Sequence, residues 1–332
     1  MNFGIEFVPS TPTLDMAYYS RIAEKVGYEY VWITDHFVNR NVFVALTQVA
    51  LYTNTIKVGS GVTNPYTANP AVVASSIATI DEISGNRAIL GIGAGDKVTL
   101  RNLGVKRKKA LHAMRESVEI IRKLWARETV TLNGEVFKMP QARLGFRVKR
   151  PLPIYLAAQG PMMLALAAEI ADGVLINASH PKDYILAKKQ LEIGAERGQR
   201  SLKDFDVAAY TSFSIDKDHD KALKEAKLVV AFIVAGSLPL VLERHDIPIE
   251  EAKEIDNLLF EGKFKQAAKA VTPEMLNAFA ICGTPEECIQ KIDELSKVGV
   301  TQLVCGSPLG RNIPEAIKLI GRTILPDFLS RW

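Results

Sequence analysis

The residue hardest to reconcile with its surroundings is Glu6, in the run FGIEFV. Phe3, Ile5, Phe7 and Val8 mark that run as a short buried strand, where a carboxylate is costly to desolvate. A carboxyl kept protonated by burial is a general acid at neutral pH. The plainer alternative is a carboxylate paired with a basic strand-end residue, serving only to pin the fold; His36 is the one such residue near a neighbouring strand end. Asp35-His36 has the residue types of an acid–base pair, but adjacent strand residues point in opposite directions, so one of them faces away from any shared ligand. No HExxH or clustered His/Asp pattern accompanies His36, which argues against a metal site. His112 reads as a mid-helix solvated or packing residue, and His219 and His245 as residues of charged surface segments. No GxSxG elbow, phosphate-binding Walker loop or strand-end lysine for Schiff-base chemistry is present.

The other chemistry-bearing groups are turns. Gly59-Ser60-Gly61-Val62-Thr63-Asn64-Pro65, Gly93-Ala94-Gly95-Asp96, Ala158-Gln159-Gly160-Pro161 and Asn177-Ala178-Ser179-His180 each end an apolar run. Their glycines suit a backbone lying close to a flat or phosphorylated ligand. The last two turns precede helix starts, which attract anions. Any one of them is also an ordinary strand-to-helix turn; as a set they point to a ligand. Two basic runs, residues 97–109 with six Lys/Arg and no acid, and RLGFRVKR at 143–150, are solvated faces or attract a polyanionic tail.

The elements that must position these groups alternate along the chain. β-rich runs NFGIEF, YEYVWITD, TIKVGSGVT, NRAILGIGAGD, PLPIYLAA, DGVLINAS, FDVAAYTSFSI and TQLVCGS predict eight strands, each followed by a helical pattern. Asn133-Gly134 predicts a hairpin interrupting the alternation. Thr284 to Glu287 has the pattern of a capping box. Residues 236–280 fit no strand–helix unit and read as a helical insertion before the last one. The expectation is one (β/α)8 barrel domain over residues 1–332, with its site at the C-terminal ends of the strands. An open doubly wound sheet is the rival, but PSTP, not a GxGxxG loop, follows the first strand.

Composition agrees with this class: 332 residues, 48% hydrophobic, with a formal charge of +4 too small to argue for nucleic acid. An odd count of cysteines (Cys282, Cys288, Cys305) without CxxC points to a reducing, cytoplasmic setting. No apolar run is long enough for a membrane span.

FGIEFVPS, YVWITDHF, IKVGSGVTNPYTANP, RAILGIGAGD and LPIYLAAQGPMMLALAAEIADGVLINAS together resemble the bacterial luciferase-like superfamily of flavin and deazaflavin barrels. Within it the whole chain is similar to the coenzyme F420-dependent methylenetetrahydromethanopterin reductases of methanogenic archaea. The resemblance implies hydride transfer from reduced F420, a co-substrate, to methylenetetrahydromethanopterin in a ternary complex during methanogenesis from CO2. It implies no metal and no tightly bound flavin, and a homo-oligomer, dimer or tetramer. It also implies a non-prolyl cis peptide at Gly61-Val62 behind the deazaflavin ring. Asp35, His36, Thr63 and the Gly95-Asp96 turn would lie at the ring, and Ala158, Gly160, Asn177, Ala178 and Ser179 along the phosphate and ribityl chain. Opening the methylene bridge requires a proton on nitrogen, which Glu6 would give, with Gln159 and Asp96 orienting the pterin. Another F420-dependent dehydrogenase, a flavin mononucleotide-dependent monooxygenase and a non-enzymatic flavin binder share most of these motifs.

Overall fold

The structure, a computed structural model, describes residues 1–329. Its strands are β1 (Asn2–Phe7), β2 (Tyr30–Ile33), β3 (Lys57–Ser60), β4 (Ala88–Ile92), β5 (Val130–Asn133), β6 (Lys138–Ala142), β7 (Ile154–Ala157), β8 (Gly173–Ile176), β9 (Asp206–Ile215), β10 (Ala280–Gly283) and β11 (Gln302–Leu309). Eight of them, all parallel, close into a barrel in the order β11-β1-β2-β3-β4-β7-β8-β9, with β9 bonding back to β11. These are the eight runs expected from the sequence. Unanticipated is β10, which pairs with the upper half of β9 while β8 pairs with the lower half. At four residues, directly after a helix, it is too short for a period-2 signal.

The hairpin forms at β5–β6, but Asn133-Gly134 is not a two-residue turn. Asn133 pairs with Lys138, and the intervening residues 134–137 are held from outside. The Glu116 carboxylate accepts from the amides of Glu135 (2.7 Å), Val136 (3.1 Å) and Phe137 (2.9 Å). Thr284 and Glu287 form a reciprocal capping box. Residues 239–279 contain the helices Pro239–Arg244, Ile249–Phe260, Phe264–Ala270 and Pro273–Phe279. With helix His219–Gly236 these bury their own apolar cluster, including Val230, Val234, Leu242, Ile255, Met275 and Phe279. Among the described residues no helix is long and apolar enough to cross a membrane.

Strand alternation explains how Glu6 fits in β1. Phe3, Ile5 and Phe7 belong to the large core between strands and helices. Gly4 and Glu6 point the other way: a Cβ on Gly4 would lie 3.2 Å from Trp32, Gln302 and Val304 inside the barrel. The lumen is filled by Tyr30, Trp32, Ile89, Tyr155, Leu175, Ala208 and Val304. Trp32 is fully buried, stacked on Tyr30 (centroids 6.3 Å apart) and edge-on to Tyr155 (5.3 Å). Below it a polar layer closes the barrel. Trp32 Nε1 donates to Gln302 (2.9 Å), Gln302 to Asp206 (2.7 Å) and Tyr155 Oη to Asp206 (2.8 Å), while Lys57 reaches Tyr30 Oη (2.9 Å).

This filling gives several glycines a structural task. A Cβ on Gly59 would sit 2.6 Å from the Trp32 ring, one on Gly61 2.9 Å from Trp32 Cβ, and one on Gly173 2.5 Å from the Tyr155 ring. These glycines make room for protein side chains within the lumen. Gly59→Ala is therefore an overpacking change expected to cost about 1–3 kcal/mol. The cost should shrink when it is combined with Trp32→Phe; urea unfolding of the single and double variants measures the coupling.

Candidate active site

The mouth is built on the upper halves of the same strands. Register places Glu6 beside Trp32 and Gly306 beside Ser212 at the top of the lumen. Inward positions there are small, with Gly61, Gly93, Ala157 and Gly306 on four strands or strand ends. Glu6 and Tyr210 therefore bring polar groups above the Trp32 plug.

Glu6 is 4% exposed. Its Oε2 accepts from Ser307 N (2.8 Å) and Ser307 Oγ (3.1 Å). The register of β11 on β9 slips between Gly306 and Pro308, so Ser307 is an extra residue whose amide leaves the ladder and turns to the carboxylate. A Cβ on Gly306 would lie 2.3 Å from Thr211 O and 3.1 Å from Glu6 Oε2, so only glycine lets the two meet. Oε1 has no protein partner among the described residues, yet it is not sealed in. Among those residues Glu6 forms no ion pair, so the fold-pinning partner that its burial suggested is not present, His36 included. Burial raises the carboxyl to about 6, with the Ser307 bonds pulling the other way.

Tyr210 connects this acid to the third strand end. Its hydroxyl donates to Gly61 O (2.9 Å), and burial together with the Glu6 charge pushes its own pKa well up. The Gly61-Val62 peptide is cis. Gly61 N donates to Ile33 O (2.7 Å), and a Cβ on Gly61 would fall 2.7 Å from Tyr210 Oη. Gly93 leaves space for the Val62 side chain. Thr63 is buried and donates to Asp35 Oδ2 (2.7 Å), and burial raises the half-buried Asp35 against that bond. His36 is also half-buried, adjacent to Asp35 at the rim.

The remaining sequence candidates sit on the rim. Asp96 is exposed and caps helix Lys97–Asn102 through Thr99 N (2.7 Å), after Gly95 in a left-handed turn (φ 72°). Ala158 is buried, bonding to Leu175 O, while Gly160 opens helix Pro161–Ile170 with free space where a Cβ would go. Exposed Gln159 donates to Asn177 O (3.0 Å), joining two turns, and Ala178 O accepts from Tyr184 Oη (2.8 Å). Ser179 is buried and its hydroxyl donates to Phe279 O (3.0 Å), so it is spent on a structural contact. The cap of helix Pro181–Arg197 is His180, whose Nδ1 accepts from Lys182 N (3.1 Å). Among the described residues the amides of Ser179 and His180 donate to no protein acceptor, leaving an anion-accepting pair at that helix start. His245 is not a surface residue: it is buried against Asp183 (3.0 Å). His219 is exposed beside Glu287, and His112 half-exposed near Glu135. In the basic run the Lys97 side chain lies outside the described residues. Arg101, Lys106 and Arg107, with Leu100, Gly104 and Val105, border a cleft of about 340 Å³.

Sequence reasoning missed Ser307, Gly306 and Tyr210. The Gly-Ser-Pro turn ending TQLVCGSP is the same kind of strand-end signal as the others. Tyr210 carries none, lying mid-strand among ordinary β residues.

A family model described as luciferase-like monooxygenase matches residues 10–302, so barrel and mouth are of the luciferase-like class. The chain is 52% identical over 330 residues to a 5,10-methylenetetrahydromethanopterin reductase of Archaeoglobus fulgidus, covering 98% of this chain and 99% of that protein. It is 51% identical over 326 residues to the protein of that name from Methanolobus tindarius (98% and 100% covered). The solved coenzyme F420-dependent tetrahydromethanopterin reductase of Methanopyrus kandleri superposes with a TM-score of 0.94 at 44% identity, over 98% of this chain and 99% of that one. The chain belongs to the 5,10-methylenetetrahydromethanopterin reductase family.

The folded pKa of Glu6 lies above the ordinary value of 4.5, so the folded protein holds this proton more tightly than the unfolded chain. The charge thus opposes folding by about 2 kcal/mol above pH 6, and the penalty fades as pH falls from about 6 to about 4.5. Glu6→Gln should stabilise the protein by about 1–2 kcal/mol at pH 8 and by nothing at pH 4.5, checked by denaturant unfolding at both values.

Proposed function

We propose that this chain reduces 5,10-methylenetetrahydromethanopterin to the 5-methyl form with reduced coenzyme F420 in a ternary complex. The observation that carries the reading is Glu6: a buried carboxyl inside the barrel, without a cation, with one oxygen fixed by Ser307 and the other without a partner among the described residues. Such a group fits proton delivery to one nitrogen of the methylene bridge as its C–N bond breaks. When bound, reduced F420 supplies the hydride that completes the methyl group.

The residues present suit that co-substrate. Val62, raised by the cis peptide and seated at Gly93, offers an apolar backing for a flat ring. Asp35 and Thr63 form a polar edge beside it. The Ser179 and His180 amides suit a phosphate, and Arg101, Lys106 and Arg107 suit a carboxylate-rich tail. Gln159, exposed on the rim, is the candidate to orient the pterin. Asp96 keeps that candidacy through its Oδ2, which has no partner among the described residues. A homo-oligomer in a reducing, cytoplasmic compartment belongs to the same reading. Helix Val42–Tyr52 carries no charge yet exposes Val44, Leu51 and Tyr52, and Cys282, Cys288 and Cys305 are all free.

The direct test mixes reduced F420 with methylenetetrahydromethanopterin anaerobically and follows deazaflavin reoxidation by absorbance. Oxygen-dependent turnover of reduced flavin instead would make the protein a monooxygenase. Glu6→Gln is expected to retain F420 binding within about twofold and to lose at least about 100-fold in kcat. In the wild type kcat/KM should fall as pH rises through about 6, and the variant should lack that limb. Near-normal turnover by the variant would exclude the acid role.

A further inference from the structure

The turn after β8 is bonded to the helical segment 239–279 at three points. Ser179 Oγ donates to Phe279 O (3.0 Å), the last residue of helix Pro273–Phe279. Lys182 Nζ reaches Arg244 O (3.3 Å). Between them lies Asp183, in the first turn of helix Pro181–Arg197 and 7% exposed. Its Oδ1 accepts from Arg244 Nη1 and its Oδ2 from His245 Nε2 (3.0 Å). His245 in turn packs edge-on against His180 (5.2 Å) and Phe279 (5.4 Å).

A buried carboxylate satisfied by two donors of another element is a strong and directional joint. Removing it leaves Arg244 and His245 without their acceptor in a dry pocket. The joint sits one turn from the Ser179 and His180 amides, and those amides point wherever the Asp183 turn holds them. Gln159, at the end of β7, and Tyr184, on the same helix as Asp183, grip Asn177 O and Ala178 O. The four-residue turn is thus clamped by several elements, and only the Gln159 clamp comes from another barrel strand end.

We propose that Asp183 is a positioning residue through which the helical segment 239–279 sets the affinity of the anion-accepting turn 177–180 for the phosphate-bearing co-substrate. It touches no reactant. Resting on the F420 reading above, the proposal assigns the segment a task in co-substrate binding beyond covering the barrel wall.

The test measures F420 binding by fluorescence titration of the full-length protein, with turnover and thermal unfolding in parallel. Asp183→Ala should weaken F420 about 10-fold or more, and Arg244→Met about 3-fold or more. KM for the pterin should stay within twofold in both, and Asp183→Glu should restore part of the loss. Backbone hydrogen exchange should rise at residues 177–183 in the Ala variant. F420 affinity within twofold of wild type in both Asp183→Ala and Arg244→Met overturns the inference. So does a loss that appears equally in the pterin KM and in Tm. Wild-type protein that binds no F420 overturns the functional reading and this inference with it.

Discussion

A closed parallel barrel of eight strands has to fill its own lumen, and in this chain that is done chiefly by one indole. Trp32 occupies the middle layer so fully that the strands around it have no room for side chains at Gly59 and Gly61 and little at Gly4. Tyr30, Tyr155, Asp206 and Gln302 lock it from below. Everything at the mouth stands on this floor. Tyr210 rests above it and holds the Gly61 carbonyl, and that contact fixes where the cis peptide presents Val62. Small residues above the plug leave the upper lumen to Glu6. A carboxylate there is largely shielded from bulk water and meets no cation among the described residues.

That placement accounts for the character of Glu6. The same strand that sends Phe3, Ile5 and Phe7 into the outer core sends Glu6 into the lumen. A bulge in the neighbouring strand supplies an amide that has left the ladder, and Gly306 permits the approach. The bonds from Ser307 hold one oxygen in place without cancelling the cost of burial, so the proton affinity stays near neutral. The fold bears a destabilising charge at the position where the proposed reduction needs a transferable proton, an exchange of stability for function.

Most of the architecture was legible because barrel strands and amphipathic helices write distinct periods into the sequence. All eight barrel strands, the capping box at Thr284 and the hairpin were readable in this way. The site was legible in part. Strand-end polar residues and glycines locate a mouth in any such barrel, so Glu6, Asp35, Thr63 and Gly160 could be named from position alone. What the individual residues do there was less readable. Ser179 looked like a helix-start anion ligand but spends its hydroxyl on Phe279, and His180 caps the helix in its place. Gly59 looked like ligand clearance and is clearance for an indole. Asp96 looked like a ligand contact and carries a helix cap. Each has a structural task that the local sequence does not reveal, because glycine, serine and aspartate serve turns, caps and ligands with identical local chemistry.

By itself the sequence determined the barrel, the end at which chemistry happens, and that Glu6 has no local reason to be in its strand. These follow from periodicity and from the desolvation cost of a carboxylate, which are properties of short stretches of chain. Only the tertiary structure decided what surrounds Glu6. Ser307 lies 301 positions away along the chain, and Tyr210 and Trp32 meet Gly61 from two other strands. The joint between Asp183 and His245 links residues 62 positions apart. Such contacts depend on strand register and barrel closure, and register is settled by how the whole lumen packs, which no local pattern encodes.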